Sequence, residues 1–263
     1  MIKDIKIRAF RATDDPLTCE KFVYEHKRVL ENYGIKQVSS SNNIWIESSS
    51  SFVIAVETIK GKLLGGSRIQ AADGITPLPI EAATGSMDTR IFSIVKSEAV
   101  KGTGELCGVW NSKEASGLGI GCYFSIQAAM AICNQIGLTS LFILCAPHTL
   151  KIFEQFGGCK ITGIGNEGTF YYPKIDLLTT AMYYNDITNF KSADNDKREK
   201  LVDLIKNLNQ TKIELSHKTL TPINIQYLLT VSSIKTKEEF RKTYDTDFSK
   251  MIKPSKMAIY FVD

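Results

Sequence analysis

Three alternate glycines in the stretch SGLGIGCYF, residues 116–124, have a spacing that could bind a phosphate group. Glycine lets the backbone approach a bulky ligand, and a helix that begins there points unpaired N–H groups at it. The dinucleotide pattern G-x-G-x-x-G lacks its third glycine, and a Gly-Lys-Ser/Thr phosphate loop would need Lys and Ser/Thr where Ile120 and Gly121 stand. Two interpretations remain: a pyrophosphate cradle formed by the amides of residues 117–122, and a turn that only packs.

A second group of residues could act on a substrate. Glu105 begins the strand-like run GELCGVW before the glycines, where its carboxylate could deprotonate an amine or could be a solvated charge at a strand edge. Arg28 and Glu31 lie three apart on one predicted helix face, so they could line an acceptor pocket or form a surface ion pair. Arg68 follows the paired glycines of LLGGSRIQ and could reach a substrate from the middle of a sheet.

The cysteines and histidines do not indicate a metal site. The six cysteines are scattered without a C-x-x-C pair, and the three histidines are widely spaced. Four cysteines lie inside apolar runs, where a thiol behaves as a small hydrophobe. We therefore expect no metal and no disulfide framework.

The elements around the glycines predict an α/β (α+β) architecture. IKIRAF reads as a strand, residues 17–34 as a helix, and FVIAVETI with KLLGGSRIQ as a hairpin. Pro77 and Pro79 are expected to break regular structure, and a helix is expected near 89–98. GELCGVW, the glycine loop, an apolar helix and LTSLFILCA then form a strand, helix and parallel strand, followed by a short helix at HTLKIFEQFGG.

The C-terminal part of the chain differs in composition. Residues 1–190 carry 18 basic and 18 acidic side chains, whereas residues 191–263 carry 14 and 10, so this last part contains the whole excess of +4. Leu201, Leu204, Ile205 and Leu208 have helical spacing, and Thr236 with Glu239 forms a capping-box pattern. We predict one domain over residues 1–186 and a small, mainly helical appendage over 187–263.

The glycine loop resembles the signature Q/R-x-x-G-x-G/A of the GNAT acyltransferase superfamily. Both spaced glycines are present, and Ser116 replaces the first Gln or Arg. IFEQFGG resembles the superfamily's Y-E-x-x-G-F segment, with Phe153 in place of the Tyr that often protonates the leaving thiolate. The resemblance covers roughly residues 3–184 and implies a mixed, twisted sheet flanked by helices.

A narrower resemblance is to acyl-homoserine lactone synthases and long-chain N-acyl amino acid synthases. ELCGVW resembles their E-L-S-R-F strand, with Gly108 in place of the Arg, and YEHKRVLENYG and FYYPKIDLL also resemble segments of these enzymes. These families place a Glu at the position of Glu105.

The resemblance implies acyl transfer from a pantetheine thioester to an amine. Coenzyme A would be bound through the main chain at Gly108 and Val109 and at the loop residues Gly117, Leu118, Gly119, Ile120, Gly121 and Cys122. Glu105 would be the base, and Arg28, Glu31 and Arg68 would contact the acceptor. The alternative is a non-catalytic module that keeps the fold as an acyl-CoA sensor or partner platform.

The composition also bears on partners and location. The start MIKDIKIRAFRATDD lacks the apolar core of a signal peptide, and no stretch reaches the length of a membrane span, so we expect a cytoplasmic protein. No aromatic-interleaved basic stripe or DNA-binding motif is present, so nucleic acid is not expected as a partner. Because acyl carrier proteins are generally acidic, Lys197, Arg198 and Lys200 could dock a protein-borne thioester, or they could only solvate the appendage.

Overall fold

The computed structural model describes residues 4–36 and 38–231. Within these residues the sheet contains ten strands: β1 Asp4–Arg11, β2 Ser51–Thr58, β3 Leu63–Ala71, β4 Gly104–Asn111, β5 Leu141–Cys145, β6 Cys159–Lys160, β7 Thr169–Tyr171, β8 Leu178–Tyr184, β9 Asn209–Leu215 and β10 Pro222–Leu228. The α-helices of this part are α1 Pro16–Asn32, α2 Pro79–Thr84, α3 Arg90–Ala99, α4 Ser125–Ile132, α5 Pro147–Gln155 and α6 Asn195–Lys206.

The strands follow the order β6-β8-β5-β4-β3-β2-β1-β10-β9, with β7 paired to β8. The sheet is antiparallel except where β1 meets β10 and where β4 meets β5. The parallel β4–β5 pair is the one predicted for the strands on either side of the glycine loop and helix α4. A mixed sheet flanked by helices confirms the predicted fold class.

A partly buried charge network connects helix α1 to the sheet. Asp15 caps the helix by accepting a hydrogen bond from the Thr18 N–H at 3.1 Å. The Arg8 guanidinium of β1 lies 2.8 Å from Asp15 Oδ2 and 3.0 Å from Glu57 Oε1 of β2. This arrangement turns Phe22 and His26 toward the sheet, where both are buried.

Helix α4 is buried on every side. All eight of its residues are buried, because one face packs on the sheet and another is covered by α6 through Leu201 and Leu204. A helix that is apolar all round needs such double cover. None of the helices in the described part of the chain is long and apolar enough to cross a membrane.

Two predictions from the sequence are wrong. Residues 79–84 form helix α2 although Pro77 and Pro79 were expected to break regular structure, because Pro79 occupies the first helical turn, where its missing N–H costs nothing. Residues 209–228, within the predicted helical appendage, form the hairpin β9–β10. Ile223, Ile225 and Tyr227 are buried at every second residue, which is the period of a strand.

The remaining predictions for the C-terminal part have separate outcomes. The helix marked by Leu201 and Leu204 is present as α6. The capping box at Thr236 lies outside the described residues. Strand β10 pairs with β1, so the described part of the predicted appendage shares the sheet of residues 4–184. The division at residue 186 stays a prediction.

Strand β4 contains a β-bulge at Gly108. Between the pairs Gly66↔Trp110 and Arg68↔Cys107, β4 advances three residues while β3 advances two. Gly108 takes φ +57°, in the left-handed region that L side chains rarely adopt. The Arg of the resembling families is therefore replaced at a position whose backbone favours glycine.

We expect Gly108→Ala to lower the free energy of unfolding by about 1 kcal/mol, because a Cβ is strained at positive φ. A Cβ there would meet Phe22 and His26 only at ordinary contact distances of 3.7 and 3.8 Å, so the loss would come from the backbone. Gly163→Ala is the matched control, since its Cβ would enter open space and its φ lies outside the strained range. Urea unfolding of both variants measures the difference, and equal midpoints would contradict the argument.

Candidate active site

The sheet opens between β4 and β5. The two strands pair only at Glu105↔Phe142 in the described structure, whereas β3 and β4 pair at six positions. Beyond Glu105, the β4 backbone facing β5 therefore has no strand partner among the described residues. Such an edge can pair with an extended ligand that carries amide groups.

The glycine loop lies at the end of this open edge. Gly117 and Gly119 have φ +80° and +73°, and residues Ile120–Phe124 form a π-helical turn that leads into α4. The third glycine has a packing role, because a Cβ at Gly121 would lie 2.5 Å from the Trp110 carbonyl oxygen of β4. A Cβ at Gly65 of β3 would in turn lie 2.6 Å from Gly121 Cα.

The loop has fewer free amides than the sequence suggested. The Gly121 N–H donates to Asn111 Oδ1 at 2.9 Å, and the Leu118 N–H donates to the Ala115 carbonyl at 3.3 Å. These two amides are already paired, so the predicted cradle is reduced to the other four amides of residues 117–122. At Gly117 a Cβ would meet nothing within 4 Å, which makes this the open side of the loop.

Two elements from the C-terminal part border the glycine loop. A Cβ at Gly119 would lie 3.0 Å from His217 Cβ, in the turn between β9 and β10. The His217 ring stacks on Tyr123 with centroids 4.8 Å apart, and Lys197 Nζ of α6 lies 5.5 Å from the centroid of the same Tyr123 ring. Gly119 therefore faces protein rather than an empty cradle.

Glu105 is buried, not a solvated strand-edge charge. Its exposed fraction is 2%, and it accepts a hydrogen bond of 2.5 Å from the Ile80 N–H at the start of α2. Burial raises the pKa of Glu105 to about 8, with the nearby charge of Glu81 adding to the rise, while the Ile80 hydrogen bond and the Arg68 charge oppose it. A carboxyl that titrates near neutral pH is suited to proton transfer.

Arg68 lies beside Glu105 on the same face of the sheet. It pairs with Cys107 across β3 and β4, so it is the diagonal neighbour of Glu105, and its exposed fraction is 1%. Arg68 Nη1 donates to Gln70 Oε1 at 2.8 Å, and the guanidinium lies 4.8 Å from the Trp45 ring centroid. Within the described residues no carboxylate is within ion-pair distance of Arg68.

Three buried donors in this region have no hydrogen-bond partner among the described residues. They are Arg68 Nε, Trp45 Nε1 and Trp110 Nε1. Both tryptophans pack edge-on against Phe22, at centroid distances of 5.9 and 5.6 Å. Burial and the Arg68 charge lower the pKa of the neighbouring His26 to about 4, so this imidazole is neutral at pH 7. Unpaired buried donors beside a buried cation suit an anionic ligand.

Arg28 and Glu31 lie apart from this cluster. Both are exposed on α1, and Arg28 pairs with Glu25 at 3.0 Å rather than with Glu31. The same helix contributes His26 and Phe22 to the cluster instead, because these residues occupy its buried face. A role of Arg28 and Glu31 toward an acceptor stays a prediction.

Sequence reasoning did not select His26, Trp45 or Tyr172. Tyr172 is half-buried and its hydroxyl accepts a hydrogen bond from the Ser39 N–H. Burial raises the pKa of Tyr172, the Ser39 hydrogen bond opposes the rise, and the charge of Glu105 adds to it. The helical spacing of His26 with Phe22 was visible in the sequence, whereas no local pattern indicates that Tyr172 lies near Glu105.

Other predicted features have plain structural descriptions. Phe153 is in the core, so the residue that replaces the family Tyr has a packing position. Burial raises the pKa of the Cys107 thiol to about 12, which keeps it protonated. Within residues 4–36 and 38–231, no group of three or more His, Cys, Asp or Glu side chains could hold a metal ion.

The bulged β4, the open strand edge and the glycine loop together define the GNAT-like class of fold that the sequence predicted. Solved structures of similar fold include FeeM, an N-acyl amino acid synthase from uncultured soil microbes, with 15% identity and a TM-score of 0.55 over 74% of this chain and 97% of FeeM. BjaI, a CoA-dependent acyl-homoserine lactone synthase, in its structure with SAM and isopentyl-CoA, has 12% identity and a TM-score of 0.53 over 91% of this chain and 98% of BjaI.

These likenesses establish the fold. They confirm, at that level, the resemblance to N-acyl amino acid synthases and acyl-homoserine lactone synthases that the sequence indicated. No protein-family model and no curated protein matches the sequence.

We expect the difference in unfolding free energy between the wild type and Glu105→Gln to depend on pH. The unfolded chain loses the Glu105 proton near 4.5 and the folded chain holds it to about 8. Between these values the folded state binds more protons, so this carboxyl makes the wild type less stable as pH rises, by about 1.4 kcal/mol per pH unit at most. The glutamine side chain does not titrate in this pH range. The titration of His26 contributes equally to the unfolding free energies of both proteins.

Urea unfolding at pH 5, 6, 7 and 8 measures this difference. The control is Glu199→Gln, at an exposed position of α6. The difference in unfolding free energy between this variant and the wild type should be the same at every pH. A constant difference between wild type and Glu105→Gln over this range would contradict the effect of burial on Glu105.

Proposed function

We propose that the chain transfers an acyl group from a pantetheine thioester to an amine. The observation that carries the proposal is the open β4 edge, which runs from the buried Glu105 to the glycine loop. The pantetheine arm contains two amides and extends along the unpaired backbone between Leu106 and Asn111. Its phosphate end then reaches the loop at Gly117, and its thioester lies near the bulge at Gly108.

Glu105 is the proposed base. With its pKa near 8, its carboxylate accepts a proton from the attacking amine as the nitrogen bonds to the thioester carbonyl carbon. The tetrahedral intermediate collapses when the carbon–sulfur bond breaks, and the departing thiolate takes up a proton. Tyr172, whose pKa is raised by burial and by the charge of Glu105, is the proposed source of that proton, in place of the family Tyr that Phe153 replaces.

The proposed acceptor is an amine that also carries a carboxylate. The proposed site for this anion is the group of buried donors at Arg68, Trp45 and Trp110, for which the described residues provide no hydrogen-bond partner. A carboxylate bound to Arg68 would place a neighbouring amino group toward Glu105. FeeM, of similar fold, is an N-acyl amino acid synthase, which supports an acceptor of this kind.

The donor is proposed to be a coenzyme A thioester. BjaI, of similar fold, is CoA-dependent. The alternative donor, an acyl carrier protein docked on α6, has less support, because two of the three candidate cations are already paired. Lys197 lies 2.5 Å from Asp196 and Lys200 lies 3.1 Å from Glu214.

We expect Glu105→Gln to lower kcat by roughly 10²- to 10⁴-fold while leaving the affinity for coenzyme A unchanged, since Gln keeps the shape but cannot accept the proton. The wild-type kcat/KM should rise with pH up to about 8, and this rise should be absent in the variant. Release of free thiol from acyl-CoA, measured with a panel of amino acids and of amines without a carboxylate, provides the assay. Binding of acyl-CoA without transfer to any acceptor would favour the sensor alternative.

We expect coenzyme A to raise the melting temperature of the wild type, because a ligand that binds only the folded state stabilises it. Gly117→Asp should abolish the shift, since a carboxylate on the open side of the loop repels the diphosphate. Gly117→Asn is the matched control, because Asn has the same shape, tolerates positive φ and carries no charge. Differential scanning calorimetry with millimolar coenzyme A tests the pair, and equal shifts in both variants would place the phosphates elsewhere.

A further inference from the structure

The turn between β9 and β10, residues 216–221, places two basic side chains at the glycine loop. His217 packs against Gly119 and stacks on Tyr123. Lys218 follows in the same turn, is exposed, and has no acidic partner within the described part of the chain. Its charge lowers the pKa of the Cys122 thiol at the end of the loop, although burial raises that pKa more strongly, to about 11.

Hydroxyl groups hold this turn in a fixed shape. The Ser216 and Thr219 hydroxyls lie 2.5 Å apart, the Thr219 and Thr221 hydroxyls lie 2.9 Å apart, and the Thr221 N–H donates to Ser216 Oγ at 2.9 Å. Ser216 also bonds Thr221 through the backbone, at 2.9 Å. The backbone at Lys218 is therefore part of a turn that hydrogen bonds hold in shape.

The charges around the loop leave an excess of cations. Lys197 is paired with Asp196, and Glu214 is paired with Lys200 and lies 3.9 Å from Lys212. Burial lowers the pKa of His217, and the charges of Lys197 and Lys218 lower it further. The charges of Lys197 and Lys218 thus both act on the His217 imidazole. Of these two lysines, only Lys197 forms a salt bridge with a carboxylate among the described residues.

We propose that the β9–β10 turn completes a phosphate site at the glycine loop, with Lys218 binding the diphosphate of a coenzyme A thioester and His217 positioning Lys218. The loop needs such a group because Ser116 stands where the resembling signature has a long Gln or Arg, and because Asn111 and Ala115 occupy two of its amides. The cation comes from a distant part of the chain instead. The proposal rests on the proposed use of a coenzyme A thioester.

The test compares coenzyme A with pantetheine, which lacks the phosphates. Lys218→Ser should weaken the binding of coenzyme A about tenfold to a hundredfold, as expected for loss of a hydrogen bond to a charged group, and should leave pantetheine binding unchanged. Lys101→Ser is the control, because Lys101 is an exposed lysine whose backbone carbonyl bonds Thr139, on the chain after α4, and its loss changes the net charge equally. Isothermal titration calorimetry at low and high salt measures the affinities, and screening should reduce the Lys218 effect at high salt.

The role of His217 is tested by His217→Phe and His217→Ala. Phe can keep the stacking on Tyr123 and should keep coenzyme A affinity, whereas Ala should lower it. Stronger binding in His217→Ala would overturn the proposal, because the turn would then obstruct the loop.

The remaining outcomes separate this inference from the proposed function. If the wild type binds coenzyme A and Lys218→Ser binds it equally well, the phosphate site is wrong and the acyl transfer stands. Transfer from acyl carrier protein without any binding of coenzyme A would overturn this inference and the proposed coenzyme A donor, while acyl transfer itself would stand. A wild type that neither binds nor uses any thioester overturns the proposed function and this site with it.

Discussion

The separation of β4 from β5 is the constraint on which the site depends. Buried backbone N–H and C=O groups need partners, and past Glu105 one side of β4 has no neighbouring strand in the part of the chain that the structure describes. At the far end of β4, Gly65 and Gly121 let the loop backbone lie directly against β3. The bulge at Gly108 alters the direction of the strand between these two points. The gap is thus bounded by a carboxyl at one end and by amides at the other.

At the Glu105 end of the gap, burial determines which side chains are charged. The hydrogen-bonded partner of the Arg68 guanidinium is the neutral Gln70. Burial raises the pKa of Glu105 and lowers the pKa of His26, and both changes favour the neutral form. A buried cation without an ion-pair partner costs folding free energy. An anionic ligand that bound beside Arg68 would recover part of that cost.

The elements that the sequence predicted correctly are those defined by a local hydrophobic period and by residue type. For four of the predicted elements the hydrophobic period or the turn residues lie within the element itself. These are the helices at residues 17–34 and 120–137, the hairpin at Gly61 and the strand before the glycine loop. The sequence did not predict what depends on distant neighbours. Asn111 bonds an amide of the loop ten residues away, His217 covers Gly119 from almost a hundred residues away, and the alternation in β10 has meaning only beside β1. The spacing of Arg28 and Glu31 indicated a shared helix face, but that face is exposed, and it is His26 that the helix turns toward the sheet.

The parallel pairing of β1 with β10 has a consequence for how the chain is made. Asp4 pairs with Asn224, and their side chains bond across 220 positions of sequence. A ribosome that adds roughly 5–20 residues per second would take on the order of 10 to 40 s to produce the partner of the first strand. During that interval β2 can protect one edge of β1 and nothing from this chain can protect the other. The nascent protein therefore passes through a stage with an open sheet edge, which is a site for aggregation or for a chaperone until the last hairpin arrives.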